Sequence, residues 1–260
     1  MKIVFINGSY RSDRGMSGRL INLMAEGVST GGGNFEIINL ADKQIQMCTN
    51  CDACQNQAEA GKCIWQNRDD VHAIYQSIAN ADLVVYASPV YVMGISGLLK
   101  VFLDRVYGYA KVSDLEISKS GKFFHAIPSS IVSKPFVSLI CCDNFESSIV
   151  RNSQGFFKTY AKFHSAPHLA SFVRFSSKML GSSGALPAAK RESIFMAYRA
   201  AGQQLAQSQS VKRSTIKAAS QEAIPLPGFG FLKNLPPVKR VILGMAKSRQ
   251  NVQRNEHDNK

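Results

Sequence analysis

Short apolar runs alternate with amphipathic segments along the first 208 residues of the chain. Five of the runs are rich in β-branched or aromatic residues and have the length of buried parallel strands. These runs cover residues 2–7, 35–40, 82–88, 135–141 and 168–175. The pattern therefore predicts five strands that are buried on both faces.

Helical patterns fill the stretches between these strands. Leu20, Met24 and Val28 fall on one face of a helix, Asp69 is placed to cap a second helix, and Ser96 opens a third. Strands that alternate with helices predict an α/β fold with a doubly wound, five-stranded parallel sheet of the flavodoxin-like kind. In such a sheet, ligands bind at the carboxyl ends of the strands.

Two segments depart from this alternation. Residues 109–134 form an insertion of mixed polarity, for which a hairpin or a subunit contact is our hypothesis. A basic extension over residues 209–260 contains the Pro/Gly-rich stretch "IPLPGFGFLKNLPP", continues into a short amphipathic helix and has a disordered end. The apolar stripe of that helix comprises Val238, Val241, Ile242 and Met245. It either packs on the domain of residues 1–208 or on a second subunit, or it lies on a membrane surface.

Composition narrows the classes of protein that fit. The chain has 260 residues and is 45% hydrophobic, enough for a core without disulfides. It begins almost at once with an apolar strand and has no uninterrupted membrane-spanning run, so we expect a cytoplasmic protein. The net charge of +13 is concentrated in residues 211–260, which carry ten Lys or Arg against three Asp or Glu. A solvated surface is the common explanation of such a tail, and we do not expect nucleic-acid binding.

Four of the six cysteines lie in the stretch "CTNCDACQNQAEAGKC", at Cys48, Cys51, Cys54 and Cys63. In a reducing compartment, clustered cysteines are metal ligands or redox groups more often than disulfides. Three cysteines at three-residue intervals with a fourth nearby is a spacing that wraps an iron–sulfur cluster. Zinc sites more often pair two separated Cys-x2-Cys knuckles, and no thioredoxin-like unit is predicted. The alternative that these four cysteines bind no metal remains open.

The loop after the first strand, "NGSYRSDRGMSGRL", has the composition of an anion site. Gly8 and Gly15 permit close approach, Ser9 and Ser17 carry hydroxyl groups, and Arg11 adds positive charge at the start of a helix. A phosphate fits there, with a plain strand-to-helix turn as the alternative. The spacing matches neither the dinucleotide fingerprint nor the nucleoside-triphosphate loop.

The loop after the third strand, "SPVYVMGISGLLKVFLDR", is bent and mostly apolar. Pro89, Tyr91, Val92 and Gly94 suit it to lie against a flat aromatic ring while backbone groups bond the ring's edge. Since both loops follow parallel strands, we expect them at the same edge of the sheet.

These motifs, in this order, resemble the NADPH-dependent FMN reductase group of flavodoxin-like proteins, and more narrowly its iron–sulfur flavoprotein branch. The resemblance covers roughly residues 1–208 and implies that the cofactor is FMN. The residues that match the phosphate loop are Gly8, Ser9, Arg11, Gly15 and Ser17. The residues that match the loop beside the isoalloxazine ring are Pro89, Val90, Tyr91, Val92 and Gly94. By position, the resemblance also places Asp143 near the flavin or its ribityl chain.

The same resemblance implies that Cys48, Cys51, Cys54 and Cys63 bind a [4Fe-4S] cluster, although the spacer before Cys63 is slightly longer than is typical of the branch. The expected function is an FMN-dependent oxidoreductase that passes electrons from NAD(P)H or a ferredoxin-like donor to a small acceptor such as a quinone. A homo-oligomer is expected. The alternatives are a cluster-free NAD(P)H:FMN or quinone reductase, and a non-enzymatic electron carrier or flavin-binding partner protein. Because the flavin carries the chemistry, no catalytic side chain is predicted.

Overall fold

A computed structural model describes most of the chain. The described residues are 1–56, 62–181, 186–223 and 228–244. The chain divides into two compact units, Met1–Gln221 and Glu222–Lys260. The predicted domain boundary near residue 208 stays a prediction. Met245 of the predicted apolar stripe and the predicted disordered end lie outside the described residues.

Six strands of the first unit form a parallel sheet with one small antiparallel addition, and two more form a separate antiparallel pair. The strands are β1 (Lys2–Asn7), β2 (Asn34–Asn39), β3 (Leu83–Tyr91), β4 (Gly94–Ile95), β5 (Lys111–Ile117), β6 (Phe123–Ala126), β7 (Phe136–Cys141) and β8 (His168–Arg174). The parallel order is β2-β1-β3-β7-β8, and the two-residue β4 pairs antiparallel with β3. This order is the flavodoxin-like one, so the predicted α/β fold and its five strands are confirmed.

Helices cover both faces of this sheet. They are α1 (Met16–Thr30), α2 (Val71–Ala79), α3 (Gly97–Asp104), α4 (Ser129–Val132), α5 (Arg151–Phe163), α6 (Ala188–Ser208) and α7 (Arg213–Ala219). A further helix, α8 (Phe229–Leu232), belongs to the second unit. Val4 and Ile6 of β1 join one buried cluster with apolar residues of α2, α3 and α5. The backbones of α1 and α6 approach each other closely at two glycines, Gly27 and Gly202. A Cβ on Gly202 would lie only 1.8 Å from the Met24 carbonyl oxygen.

The insertion at residues 109–134 contains a hairpin. Strands β5 and β6 pair antiparallel, and the short helix α4 follows them. Leu115, Ile117 and Phe123 are exposed on this hairpin. The hairpin is therefore observed, and a subunit contact through it stays a prediction.

The second unit contains α8 and a further helical segment over residues 236–244. Lys233 is buried there and forms an ion pair with Glu222 at 2.5 Å. Val241 and Leu243 are exposed. Among the helices of the described residues, none combines the length and hydropathy required to span a bilayer. Contact of this segment with a membrane surface stays a prediction.

Candidate functional site

The predicted phosphate loop begins at the carboxyl end of β1. The Gly8 N–H donates to the Ala87 carbonyl at 2.8 Å, and a Cβ on Gly8 would lie 2.7 Å from Leu99 Cβ. Buried Asn7 accepts a hydrogen bond from the Ser9 N–H at 3.1 Å, and the Ser9 Oγ accepts one from the Arg11 N–H at 3.2 Å. The loop is thus held against β3 by its own polar groups.

The loop ends at an open helix terminus. Helix α1 starts after Gly15, and among the described residues no side chain caps it, so its first N–H groups lack a partner within the helix. A Cβ on Gly15 would lie 2.8 Å from Ser9 Oγ, so a larger residue here would displace the Ser9 hydroxyl. Backbone donors and the helix dipole together favour an anion here.

Two of the predicted loop residues contribute differently from the others. Ser17 is buried and lies close to the Cys141 thiol. Burial raises the pKa of Cys141 to about 11, so this thiol is neutral at ordinary pH. Ser17 is thus a buried residue at the start of α1, whereas the Arg11 side chain is exposed to solvent.

The second predicted loop is a tight hairpin turn. Pro89, Val90 and Tyr91 are the last residues of β3, and Tyr91 pairs with Gly94 of β4. Only Val92 and Met93 lie between them, with φ values of 45° and 62°. Two-residue turns with positive φ at both positions strongly prefer Asn-Gly, and a β-branched residue is unfavourable there. Sequence reasoning missed this turn because neither glycine nor asparagine signals it.

An aromatic pair joins the two loops. The rings of Tyr10 and Tyr91 stack with centroids 6.4 Å apart and an interplanar angle of 28°. Tyr10 is 60% exposed and Val92 is 91% exposed, so apolar surface lines this edge of the sheet. Tyr10 was not predicted as a site residue, and only its place inside the glycine-rich loop could have pointed to it.

Asp143 lies beyond the carboxyl end of β7, as expected for the third loop. Its carboxylate accepts a hydrogen bond from the Lys178 N–H at 3.0 Å and forms an ion pair with Lys178 Nζ at 2.7 Å. These contacts hold it to the segment after β8. A contact between Asp143 and a flavin stays a prediction.

The four clustered cysteines line one recess. Cys48 and Cys51 are exposed, Cys63 is half-buried, and Cys54 is buried, which raises the pKa of its thiol. Tyr107 and Gly108, just after α3, form the opposite wall. A Cβ on Gly108 would lie 3.2 Å from Cys63 Cβ, so glycine makes room for this thiol.

A buried arginine reaches the same recess. Arg105 forms an ion pair with Asp69, donates from Nη1 to the Gln46 carbonyl at 2.8 Å, and donates from Nη2 to Cys63 Sγ at 3.4 Å. Its Nε is also buried but has no hydrogen-bond partner among the described residues. Helix α2 begins after Asp70, so Asp69 lies one residue before the N-cap and not at it, contrary to the prediction, and its carboxylate accepts from the Val71 N–H at 3.2 Å. Arg105 itself escaped sequence reasoning, because nothing along the chain links it to the cysteines.

The cysteine recess has the donor chemistry of an iron–sulfur cluster site, because four thiols line it. No three His, Cys, Asp or Glu side chains in the described part of the chain lie close enough to hold one metal ion. A cubane spreads its thiolates over four irons, so its ligands lie farther apart than those of one ion. Four thiols line the recess, which is the number of thiolate ligands that a cubane takes.

Comparison with known proteins agrees with these features. Residues 1–123 match the family model described as NADPH-dependent FMN reductase. An iron–sulfur flavoprotein of Methanocaldococcus jannaschii is 36% identical over 105 residues, which are 40% of this chain and 51% of that protein. One of Archaeoglobus fulgidus is 33% identical over 105 residues, 40% of this chain and 48% of that protein. The chain thus spans about half the length of the curated relatives it matches.

Solved structures share the fold at low sequence identity. An FMN-dependent NADH-azoreductase from Bacillus anthracis in complex with FMN superposes with a TM-score of 0.58 at 14% identity, covering 79% of this chain and 99% of that one. An NAD(P)H:quinone oxidoreductase from Methanothermobacter marburgensis gives a TM-score of 0.56 at 19% identity, covering 79% and 98%. The flavodoxin-like sheet and the match of residues 1–123 to the NADPH-dependent FMN reductase model therefore agree with each other.

Proposed function

We propose that this chain is an FMN-dependent oxidoreductase that takes electrons from NAD(P)H and passes them to a small acceptor such as a quinone. The observation that carries the proposal is the meeting of the open α1 terminus and the strained β3–β4 turn at one sheet edge, within a family-matched segment. FMN supplies hydride and single-electron transfer when it is bound.

The chain's own residues bind and orient the cofactor in this proposal. The open terminus after Gly15, with the N–H groups of the loop and the charge of Arg11, binds the phosphate. The turn from Pro89 to Gly94 and the Tyr10–Tyr91 pair bind the ring, because they offer apolar surface beside backbone donors and acceptors. Asp143 is a candidate for the ribityl contact.

The cysteine recess is proposed as a second redox site. Cys48, Cys51, Cys54 and Cys63 would hold a [4Fe-4S] cluster, which supplies single-electron transfer when it is bound. The relatives named iron–sulfur flavoproteins support this choice. A ferredoxin-like donor and a homo-oligomer belong to the same proposal.

A cluster-free FMN reductase is the second candidate. The observation that favours it is the exposure of Cys48 and Cys51, which leaves half of the thiols open to solvent. In that case the flavin site would act without a second redox centre.

Anaerobic purification followed by assays of FMN, iron and acid-labile sulfide separates these candidates. FMN together with iron and sulfide is the result we expect, and FMN without iron or sulfide would select the cluster-free reductase. Steady-state oxidation of NADH and NADPH with a quinone then tests the activity. Reducible flavin without turnover toward any acceptor would instead indicate an electron carrier.

A further inference from the structure

We propose that Arg105 donates hydrogen bonds to the sulfur atoms at the cysteine recess, positions Cys63, and raises the reduction potential of the cluster held there. The inference rests on the [4Fe-4S] cluster of the proposed function. Arg105 is a positioning residue in this account, because it acts through the cysteine sulfur and the cluster's own sulfur atoms.

The first support is the direction of the guanidinium group. Nη1 is engaged by Asp69 and by the Gln46 carbonyl, which fixes the plane of the group. Nη2 then points at Cys63 Sγ, 3.4 Å away. Because the guanidinium is a rigid planar fork, anchoring one arm also sets the direction of the other donors.

The second support is the unpartnered Nε. Arg105 is 3% exposed, and its Nε has no acceptor among the described residues. Buried N–H groups are nearly always hydrogen-bonded, since leaving one without a partner is costly. A sulfur atom of a cluster in the adjoining recess is an acceptor that would satisfy it.

The third support is the charge of the recess. Thiolate ligands leave a cluster site net negative, and buried negative charge requires compensation. The Arg105 cation beside Cys63 provides it, and the Asp69 carboxylate partly offsets that cation. Hydrogen bonds to the sulfurs and the local charge both set the reduction potential, so these two residues have opposite effects.

Two single variants of the anaerobically purified full chain test this balance. Arg105→Lys keeps the charge but loses the planar fork, so the cluster potential should become more negative than in the wild type. Asp69→Asn keeps every Arg105 donor and removes a negative charge, so the potential should become more positive. Spectroscopic redox titration measures both, alongside iron and sulfide content. A wild-type potential in Arg105→Lys, or shifts of one sign in both variants, would overturn the inference.

A double variant covers the case in which Arg105→Lys does not fold. Asp69→Asn combined with Arg105→Gln replaces both members of the buried ion pair, so neither member is left without the other. Its potential should lie below that of Asp69→Asn alone, and equal potentials would contradict the role of Arg105. Absence of iron and sulfide from the wild type would overturn both this inference and the proposed cluster, whereas a cluster with unshifted potentials would overturn the inference alone.

Discussion

At the scale of single residues, the candidate flavin site combines backbone strain with exposed apolar side chains. Val92 and Met93 hold positive φ values in a turn that other residues occupy more easily, and Val92 is almost fully exposed. Among the described residues, nothing packs on Val92 to stabilise this conformation. Strained conformations of this kind cluster at ligand sites, and we interpret the turn in that way.

Replacing Val92 and Met93 with Asn and Gly should stabilise the cofactor-free chain. Asn-Gly is the preferred pair for this turn, and the left-handed conformation costs an ordinary residue roughly 1–2 kcal/mol. The free energy of unfolding should therefore rise by about that amount, measured by urea denaturation. Val92→Ala is the matched control, because alanine keeps a Cβ at the same φ and should gain less. A double variant no more stable than the wild type would contradict the assignment of strain.

The Tyr10–Tyr91 pair gives a second prediction at this scale. Tyr10→Ala removes a ring that joins the two loops, and aromatic pairs contribute about 0.5–1.5 kcal/mol beyond their buried area. The Kd for FMN, from quenching of flavin fluorescence, should increase by roughly two- to tenfold. Tyr10→Phe keeps the ring and should bind like the wild type. If both variants bind FMN as the wild type does, Tyr10 takes no part in the site.

At the scale of secondary structure elements, the hydrophobic pattern predicts most of what is observed. All five parallel strands follow from short buried runs, and the helices between them from their apolar stripes. The pattern did not predict β4, because a two-residue strand has no periodicity to read. Nor did it predict the contact of α1 with α6, where glycines lie far apart in sequence.

The close contact of α1 with α6 gives a prediction for which a glycine in another helix serves as the control. Gly202→Ala would place a Cβ 1.8 Å from the Met24 carbonyl, so the helices must separate, at a cost of about 1–3 kcal/mol or more. Gly155 of α5 has nothing within 4 Å of an added Cβ, so Gly155→Ala should instead stabilise by roughly 0.5–1 kcal/mol. Thermal unfolding of the two variants should shift in opposite directions. An unchanged Tm for Gly202→Ala would show that the helices do not meet so closely.

At the scale of the whole molecule, the parallel topology of the sheet explains which parts of the site could be predicted from the sequence. Loops that follow neighbouring parallel strands share one edge, so the phosphate loop and the β3–β4 turn were expected together. For the cysteine recess, the sequence revealed only the spacing of the four cysteines along the chain. Its other wall comes from Tyr107 and Gly108, and the Arg105–Asp69 ion pair joins residues 36 positions apart. Pairings of that kind depend on tertiary packing, which local patterns do not encode.

Titration of the cofactor-free chain with FMN and with riboflavin tests the central claim most directly, because the two ligands differ only in the phosphate. The open α1 terminus and Arg11 should bind that phosphate through charge-assisted hydrogen bonds, each contributing about 1.5–3 kcal/mol. The account predicts saturable FMN binding, with riboflavin at least about tenfold weaker. Failure to bind FMN, or equal affinity for the two flavins, would contradict it.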